Sequence, residues 1–436
     1  MAGVTQKKIM VQDLEIGMFV SDLDRPWHQT PFPVQGFYIR SQSDVRALLS
    51  HCKWVKIDVA ETRGSLETDG GNIRVFGRRA SGRGSGREKL QLPPLSIREP
   101  VQHQVVTPLK KEIRVSRQLL RDGEKALEAV YQQMRSGGAP DIRPVTELTR
   151  KMVASVVRQP SALLLLSRTR QYDDFLYQHA LNTAVWALVC GRQLGLNEGL
   201  LNHLAIGCLL TQVGKTALPK DLVEREQQLS SDEFAVYRTY VDRGIEALGA
   251  SDLSGAVLSV VQYHRERHNG SGFPRGVRGE KIPLLAKVAG IAEFFESLIT
   301  PRVEGNSLTP AKAVSLLYEM RNIEFQEDLV EHFIQAIGVY PTGSLVELSD
   351  GQRGIVISHE PERRLWPSVM VVQDASQRPR KTARIIDLAS YNESRPESSM
   401  LSVKECLPYG TEGLSPSLHD VPGAGRRWPL SKLFSR

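Results

Sequence analysis

Tyr263-His-Arg-Glu-Arg-His-Asn-Gly-Ser-Gly-Phe-Pro274 reads as a helix end running into a glycine-rich loop. Crowded His, Arg and Glu side chains beside glycines suit an anion pocket, because glycine lets backbone N–H groups come close to an oxyanion. A solvated turn accounts for the same glycines. Downstream, Ala286-Lys-Val-Ala-Gly-Ile-Ala-Glu-Phe-Phe-Glu-Ser-Leu-Ile-Thr300 is an apolar helix that carries Glu293, with Glu296 three residues on. A carboxylate on such a face needs a partner.

Upstream, Leu209-Leu-Thr-Gln-Val-Gly-Lys-Thr-Ala-Leu-Pro219 places a small turn with Gly214 and Lys215 directly after a buried helix. It is not a Walker A loop, since no phosphate cradle precedes the lysine. His179 lies on a helix over 172–194, four residues after Phe175. A lone helical histidine is more often structural than a ligand.

Around these segments the spacing is helical. Ile113, Leu119, Leu120, Ala126, Leu127, Val130 and Met134 share one face, and Gly137, Gly138 and Pro140 stop the run. Apolar periodicity continues through 145–157, 175–194, 198–210, 232–248, 254–264, 286–299 and 310–319. Residues 106–340 therefore form a mainly α-helical domain. Residues 1–60 read as a small α+β module, with strands near 17–21, 36–40 and 54–59 and a helix near 43–51. Residues 61–105 shift to Gly, Ser, Arg and Pro and read as a flexible linker. Alternation returns in 344–348, 354–358 and 368–372, so 341–390 is expected to be a small β-rich module and 391–436 a loose tail.

Composition narrows the class. The 436 residues are 41% hydrophobic and 24% charged, near the globular average, which excludes collagen-like and wholly disordered chains. No run of 18 apolar residues is free of polar interruption and no signal-peptide core is readable, so no membrane insertion and a cytoplasmic location are expected. Cys52, Cys190, Cys208 and Cys406 form no CxxC pair, which suits reduced thiols. Much of the net charge of +7 comes from Arg74, Arg78, Arg79, Arg83, Arg87 and Lys89. Phe76 is the one aromatic residue among them, and no series of rings is spaced along the run to stack bases, which argues against nucleic acid.

The order of motifs from 172 to 300, above all Asn269-Gly-Ser-Gly-Phe-Pro274 and Ile291-Ala-Glu-Phe-Phe-Glu-Ser-Leu-Ile-Thr300, resembles the HD-GYP family. Active members are metal-dependent phosphodiesterases that hydrolyse cyclic di-GMP with iron, manganese or other divalent ions. The resemblance covers roughly 145–340, and the flanking modules look like companions of one branch of the family. It implies seven metal-ligand positions. Of these, His179 and His264 are identical to the family pattern, and Glu293 stands for an aspartate. Thr211 and Gln212 replace the name-giving His-Asp pair, Tyr240 replaces a histidine, and Arg265 replaces the second histidine of a His-His-Glu motif that keeps Glu266. Phe175 stands where some members have glutamate.

Too few donors are left for two metals, which require charged carboxylate or imidazole ligands. An always-protonated guanidinium at Arg265 repels a cation and is expected to pair with Glu293 or Glu266. The resemblance also implies nucleotide contacts at Lys215, at Gly272, Phe273 and Pro274 of the loop, and at Arg302, whereas Gly305 and Asn306 replace a further arginine and lysine. The expected function is a degenerate, non-catalytic regulator in cyclic di-GMP signalling without a bound cofactor. It would act through nucleotide binding or through partners such as diguanylate cyclases at the glycine-rich loop. The alternatives are a weak phosphodiesterase using His179, His264, Glu293 and Glu266, and a scaffold that binds no nucleotide.

Overall fold

The computed structural model of the chain describes residues 6–15, 18–24, 37–39, 42–58, 92–93, 95–169, 175–226, 229–249, 251–300, 307–359, 365–393, 395–396, 399–408 and 411. Arg302, Gly305, Asn306 and the basic run from Arg74 to Lys89 lie outside the described residues.

At the N-terminus, β1 (Gln6–Met10), β2 (Phe19–Leu23), β3 (Phe37–Tyr38) and β4 (Trp54–Asp58) form an antiparallel sheet in the order β1-β4-β2-β3. Val55 and Ile57 of β4 point inward, as the two-residue period of a strand requires, and meet Val45 and Leu48 of α1 (Gln42–His51) in one buried cluster.

The helical body opens with α2 (Leu109–Arg135), whose Ile113, Leu119, Leu120, Leu127 and Val130 are buried as the spacing predicts. It continues with α3 (Arg143–Arg158), α4 (Pro160–Thr169), α5 (Phe175–Gln193) and α6 (Glu198–Leu210), then a 3-10 turn over Val213–Ala217. After α7 (Lys220–Glu224) come α8 (Ser231–Tyr237), α9 (Tyr240–Leu248), α10 (Gly255–Tyr263), α11 (Leu284–Ile299), α12 (Pro310–Glu319) and α13 (Glu327–Ile337). Helix α5 is buried on all sides and touches α2, α3, α4, α6, α11 and α13, which makes it the axis of the body. The segment expected as one helix over 232–248 is two. The Thr239 hydroxyl donates to the Val236 carbonyl at 2.7 Å, the local side-chain-to-backbone bond by which threonine competes with helix continuation.

The end of the expected linker is not loose. Residues 92, 93 and 95–108 form a strap fastened along the body: the Gln326 amide donates to Pro93 O, Leu95 N to the Asp328 carboxylate, Val101 N to Gly195 O and His103 Nε2 to Leu196 O. Arg192 then donates to His103 O, Val106 N to Arg158 O and Gln159 to Thr107 O. A Gly/Pro-rich composition reports a lack of regular structure, and here backbone groups find partners on helix ends instead.

After the body, β5 (Leu345–Leu348), β6 (Arg353–Ser358), β7 (Ser368–Gln373), β8 (Pro379–Asp387) and β9 (Val403–Leu407) make an antiparallel sheet in the order β8-β7-β6-β5-β9, with a short α14 (Leu388–Asn392). Strand β9 corrects the reading of a tail from residue 391. Val403 and Leu407 are buried, and the Asn392 side chain exchanges two hydrogen bonds with the Leu401 backbone at 2.8 and 2.9 Å. The two central charged residues of Val403-Lys-Glu-Cys-Leu hide its alternation.

Candidate functional site

Helix α5 brings His179 to the interior, the end of α6 brings Thr211 and Gln212, the first turn of α9 brings Tyr240, the residues after α10 bring His264 and Arg265, and α11 brings Glu293. All seven are buried. Gly214 makes the approach of α9 possible, since a Cβ there would lie 1.8 Å from the Tyr240 carbonyl oxygen.

Arg265 turns inward, and its Nη1 donates to Glu293 Oε1; both side chains are 3% exposed. His179 Nε2 lies 3.4 Å from the same carboxylate oxygen. Burial works against the charge on Glu293, but Arg265, then His179, outweigh it and hold its carboxyl well below the usual range. Burial likewise opposes the charge on Arg265, while Glu293 and the surrounding groups raise its pKa above the usual arginine value. Glu266 does not share Arg265. Its carboxylate accepts backbone N–H groups of Arg275 at 2.7 Å, of Gly276 at 3.1 Å and of Val277 at 3.1 Å, and so ties down the far side of the loop.

His264 uses both ring nitrogens. Val261 O, which can only accept, lies 2.8 Å from Nδ1, so the proton is on Nδ1; Nε2 accepts from the Tyr240 hydroxyl at 2.9 Å. Burial pushes the imidazole down to about 3, so it is neutral. Burial also raises the Tyr240 phenol and keeps it a donor. Thr211 donates to Cys208 O at 2.9 Å and accepts from the Gln212 amide at 3.1 Å.

This donor set does not fit the dinuclear centre that the resemblance implies. The lone pair of His264 Nε2 is taken by a phenol, a guanidinium bonds to Glu293, and Thr211 and Gln212 offer neutral oxygens where a bridging carboxylate is needed. Among the described residues no three His, Cys, Asp or Glu side chains come together as a ligand set.

Of the nucleotide-contact candidates, Lys215 is buried: its Nζ donates to Glu226 Oε2 at 2.6 Å and lies 5.3 Å from the ring centres of both Tyr237 and Tyr240. The Tyr237 hydroxyl donates to the same Glu226 oxygen at 2.7 Å. Phe273 is also turned inward, with its ring 5.2 Å from the Arg265 guanidinium carbon and edge-on to Phe234 and Tyr240. A Cβ on Gly272 would lie 2.4 Å from the Arg265 carbonyl oxygen, so the loop lies flat on the Arg265 backbone. The Phe273–Pro274 peptide is cis, and Ser271, Arg275 and Arg278 form the exposed rim.

Sequence reasoning missed Glu226 and Tyr237, which carry no motif. It noted Glu296 without its partners. They are Asn182 and Trp186 on α5, each donating at 2.8 Å, with Thr300 donating and Arg168 at 3.7 Å. A lone Glu beside aromatic residues was the only signal for that network.

Comparison with known proteins finds similarities that include this site. Residues 163–329 match the HD domain, and residues 6–145 match a domain of unknown function, DUF3391. Cyclic di-GMP phosphodiesterase PA4108 of Pseudomonas aeruginosa is 28% identical over 88% of this chain and 89% of its own length. The cyclic di-GMP phosphodiesterase response regulator RpfG of Xanthomonas campestris is 31% identical over 43% of this chain and 52% of its own. The solved structure of Bd1817, a HDG"Y"P protein from Bdellovibrio bacteriovorus, covers 76% of this chain and 98% of its own at 13% identity with a TM-score of 0.41. No helix among the described residues is long and apolar enough to cross a membrane. The chain thus carries an HD domain over residues 163–329 and has cyclic di-GMP phosphodiesterases among its relatives.

Proposed function

We propose that this protein is a non-catalytic, cytoplasmic regulator in cyclic di-GMP signalling that holds no metal. The observation that carries the reading is the bond from Arg265 to Glu293, a fixed positive charge within the remnant ligand set. Hydrolysis in the family depends on a metal-bound water of lowered pKa, and no other activated nucleophile is present among the residues of this site. The names of relatives, phosphodiesterases of cyclic di-GMP and of 3'3'-cGAMP among them, support the signalling context.

Protein contacts are assigned to the exposed rim of the loop, Ser271, Arg275 and Arg278, with diguanylate cyclases as the partner class. Deleting Gly270 to Pro274 should abolish that binding, and intact binding would remove the assignment.

The decisive experiment measures metal content and cyclic di-GMP turnover of the wild type beside a variant carrying Thr211→His, Gln212→Asp, Tyr240→His and Arg265→His together. Metal and turnover are expected only in the restored protein. Stoichiometric iron, manganese or zinc with hydrolysis by the wild type would establish the weak phosphodiesterase instead.

A further inference from the structure

Lys215 is a buried cation whose carboxylate partner, Glu226, lies neither on its own turn nor among the seven remnant metal-site positions. Glu226 reaches it from the residues after α7 and is in turn held by the Tyr237 hydroxyl. The ammonium is thus caged by one carboxylate oxygen and the faces of two tyrosine rings, which attract cations. The carboxylate is the outer member of the pair, its side chain 9% exposed against 3% for Lys215. A carboxylate and a phosphodiester present the same chemistry to an ammonium: negatively charged oxygens that accept its hydrogen bonds. One site cannot hold both, because two anions on one buried ammonium would leave a charge uncompensated.

We propose that Glu226 is a built-in counter-anion that closes the Lys215 site, so that a phosphodiester of a cyclic dinucleotide enters only when Glu226 swings away. The inference rests on the reading of Lys215 as a nucleotide contact in a non-catalytic protein. It adds an autoinhibitory contact to that reading: apparent affinity is set by the fraction of molecules in which Glu226 has left the lysine. Tyr237 acts as a positioning residue, because its hydroxyl fixes the carboxylate toward Lys215.

The test is calorimetric titration of the full chain with cyclic di-GMP in the presence of a chelator, so that metal plays no part. Glu226→Gln removes the charge and keeps the shape. If the gate is closed in roughly nine molecules of ten, this variant binds about tenfold more tightly than wild type. Tyr237→Phe, which leaves the ion pair in place and guards against misfolding of the first variant, gains about threefold from the loss of one hydrogen bond of ordinary net strength. Adding Lys215→Ala to Glu226→Gln should cancel the gain. Equal affinity of wild type and both single variants, or no binding by any of them, would overturn the gate. Metal-dependent turnover by the wild type would overturn the non-catalytic reading and leave the gate standing.

Discussion

Replacing Arg265 by methionine removes the charge that keeps Glu293 ionised while preserving much of the side chain's volume. Both groups are 3% exposed, so the carboxylate left behind is shielded from water and loses its bonded guanidinium, keeping only His179 at 3.4 Å and the more distant Arg267 charge. Breaking a buried pair by deleting one member costs about 3–5 kcal/mol. For a body of this size each kcal/mol moves the melting temperature by about 2–4 °C, so the variant should melt roughly 6–20 °C below wild type near pH 8. The pH dependence supplies the sign. In wild type the Glu293 pKa is depressed, so its stabilisation is present above the unfolded carboxyl value and is lost only as pH falls through the lower folded value. In Arg265→Met the strongest opposing charge is gone, and burial, resisted only by the weaker influence of His179 and Arg267, raises the carboxyl, so the fold is relieved when Glu293 takes up a proton. The gap between the two proteins should therefore narrow from about pH 8 to about pH 5.5. Arg265→Met with Glu293→Leu should recover most of the loss, because an apolar replacement of a whole buried pair is often neutral. Calorimetric melting of the three proteins at both pH values decides the matter. A single variant within about 2 °C of wild type, or a gap constant with pH, would refute the pairing as the source of order here.

Further outcomes follow from the same geometry. His264 should show no imidazole titration by NMR between about pH 5 and pH 8 and should keep its proton on Nδ1, since burial holds it near 3; the unfolded chain binds more protons between that value and about 6.5, so this group lowers stability as pH falls. Tyr240→Phe strands the lone pair of His264 Nε2 and should cost about 1–3 kcal/mol in a melting experiment, whereas a change within error would show that the 2.9 Å bond carries no weight. Glu266→Ala should speed hydrogen exchange at the Arg275, Gly276 and Val277 amides by about tenfold or more, because bonds to a charged acceptor are worth about 1.5–3 kcal/mol. Gly214→Ala forces a Cβ into the Tyr240 carbonyl and should lower the melting temperature by several degrees, an overpacking cost of about 1–3 kcal/mol.

Motif order located the site because the helices that carry it are long, periodic and buried, and those properties are written locally. His179, His264, Arg265 and Glu293 were legible for that reason, although the sequence left the partner of Arg265 open between Glu293 and Glu266. The role of Glu266 was not, because its three partners are backbone N–H groups of a loop whose path no side-chain pattern records. Lys215 was visible as a cation beside glycine, but Glu226 lies outside every motif and only the tertiary approach of the segment after α7 reveals the pair. Helix α4 escaped the periodicity reading because Leu163-Leu-Leu-Leu166 is apolar on every side, and a run without a polar face has no period to detect.

The strap has a practical bearing on how the helical body can be isolated. A protein trimmed to start near residue 106, where regular helical spacing begins, would lack Val101 and His103 and would leave the carbonyls of Gly195 and Leu196 and the guanidinium of Arg192 short of partners at the end of α5. That helix also carries His179, so the losses would reach the site through its central rod. Trimming that begins before residue 92 keeps those fastenings, and the two versions should differ in melting temperature although every motif residue is present in both.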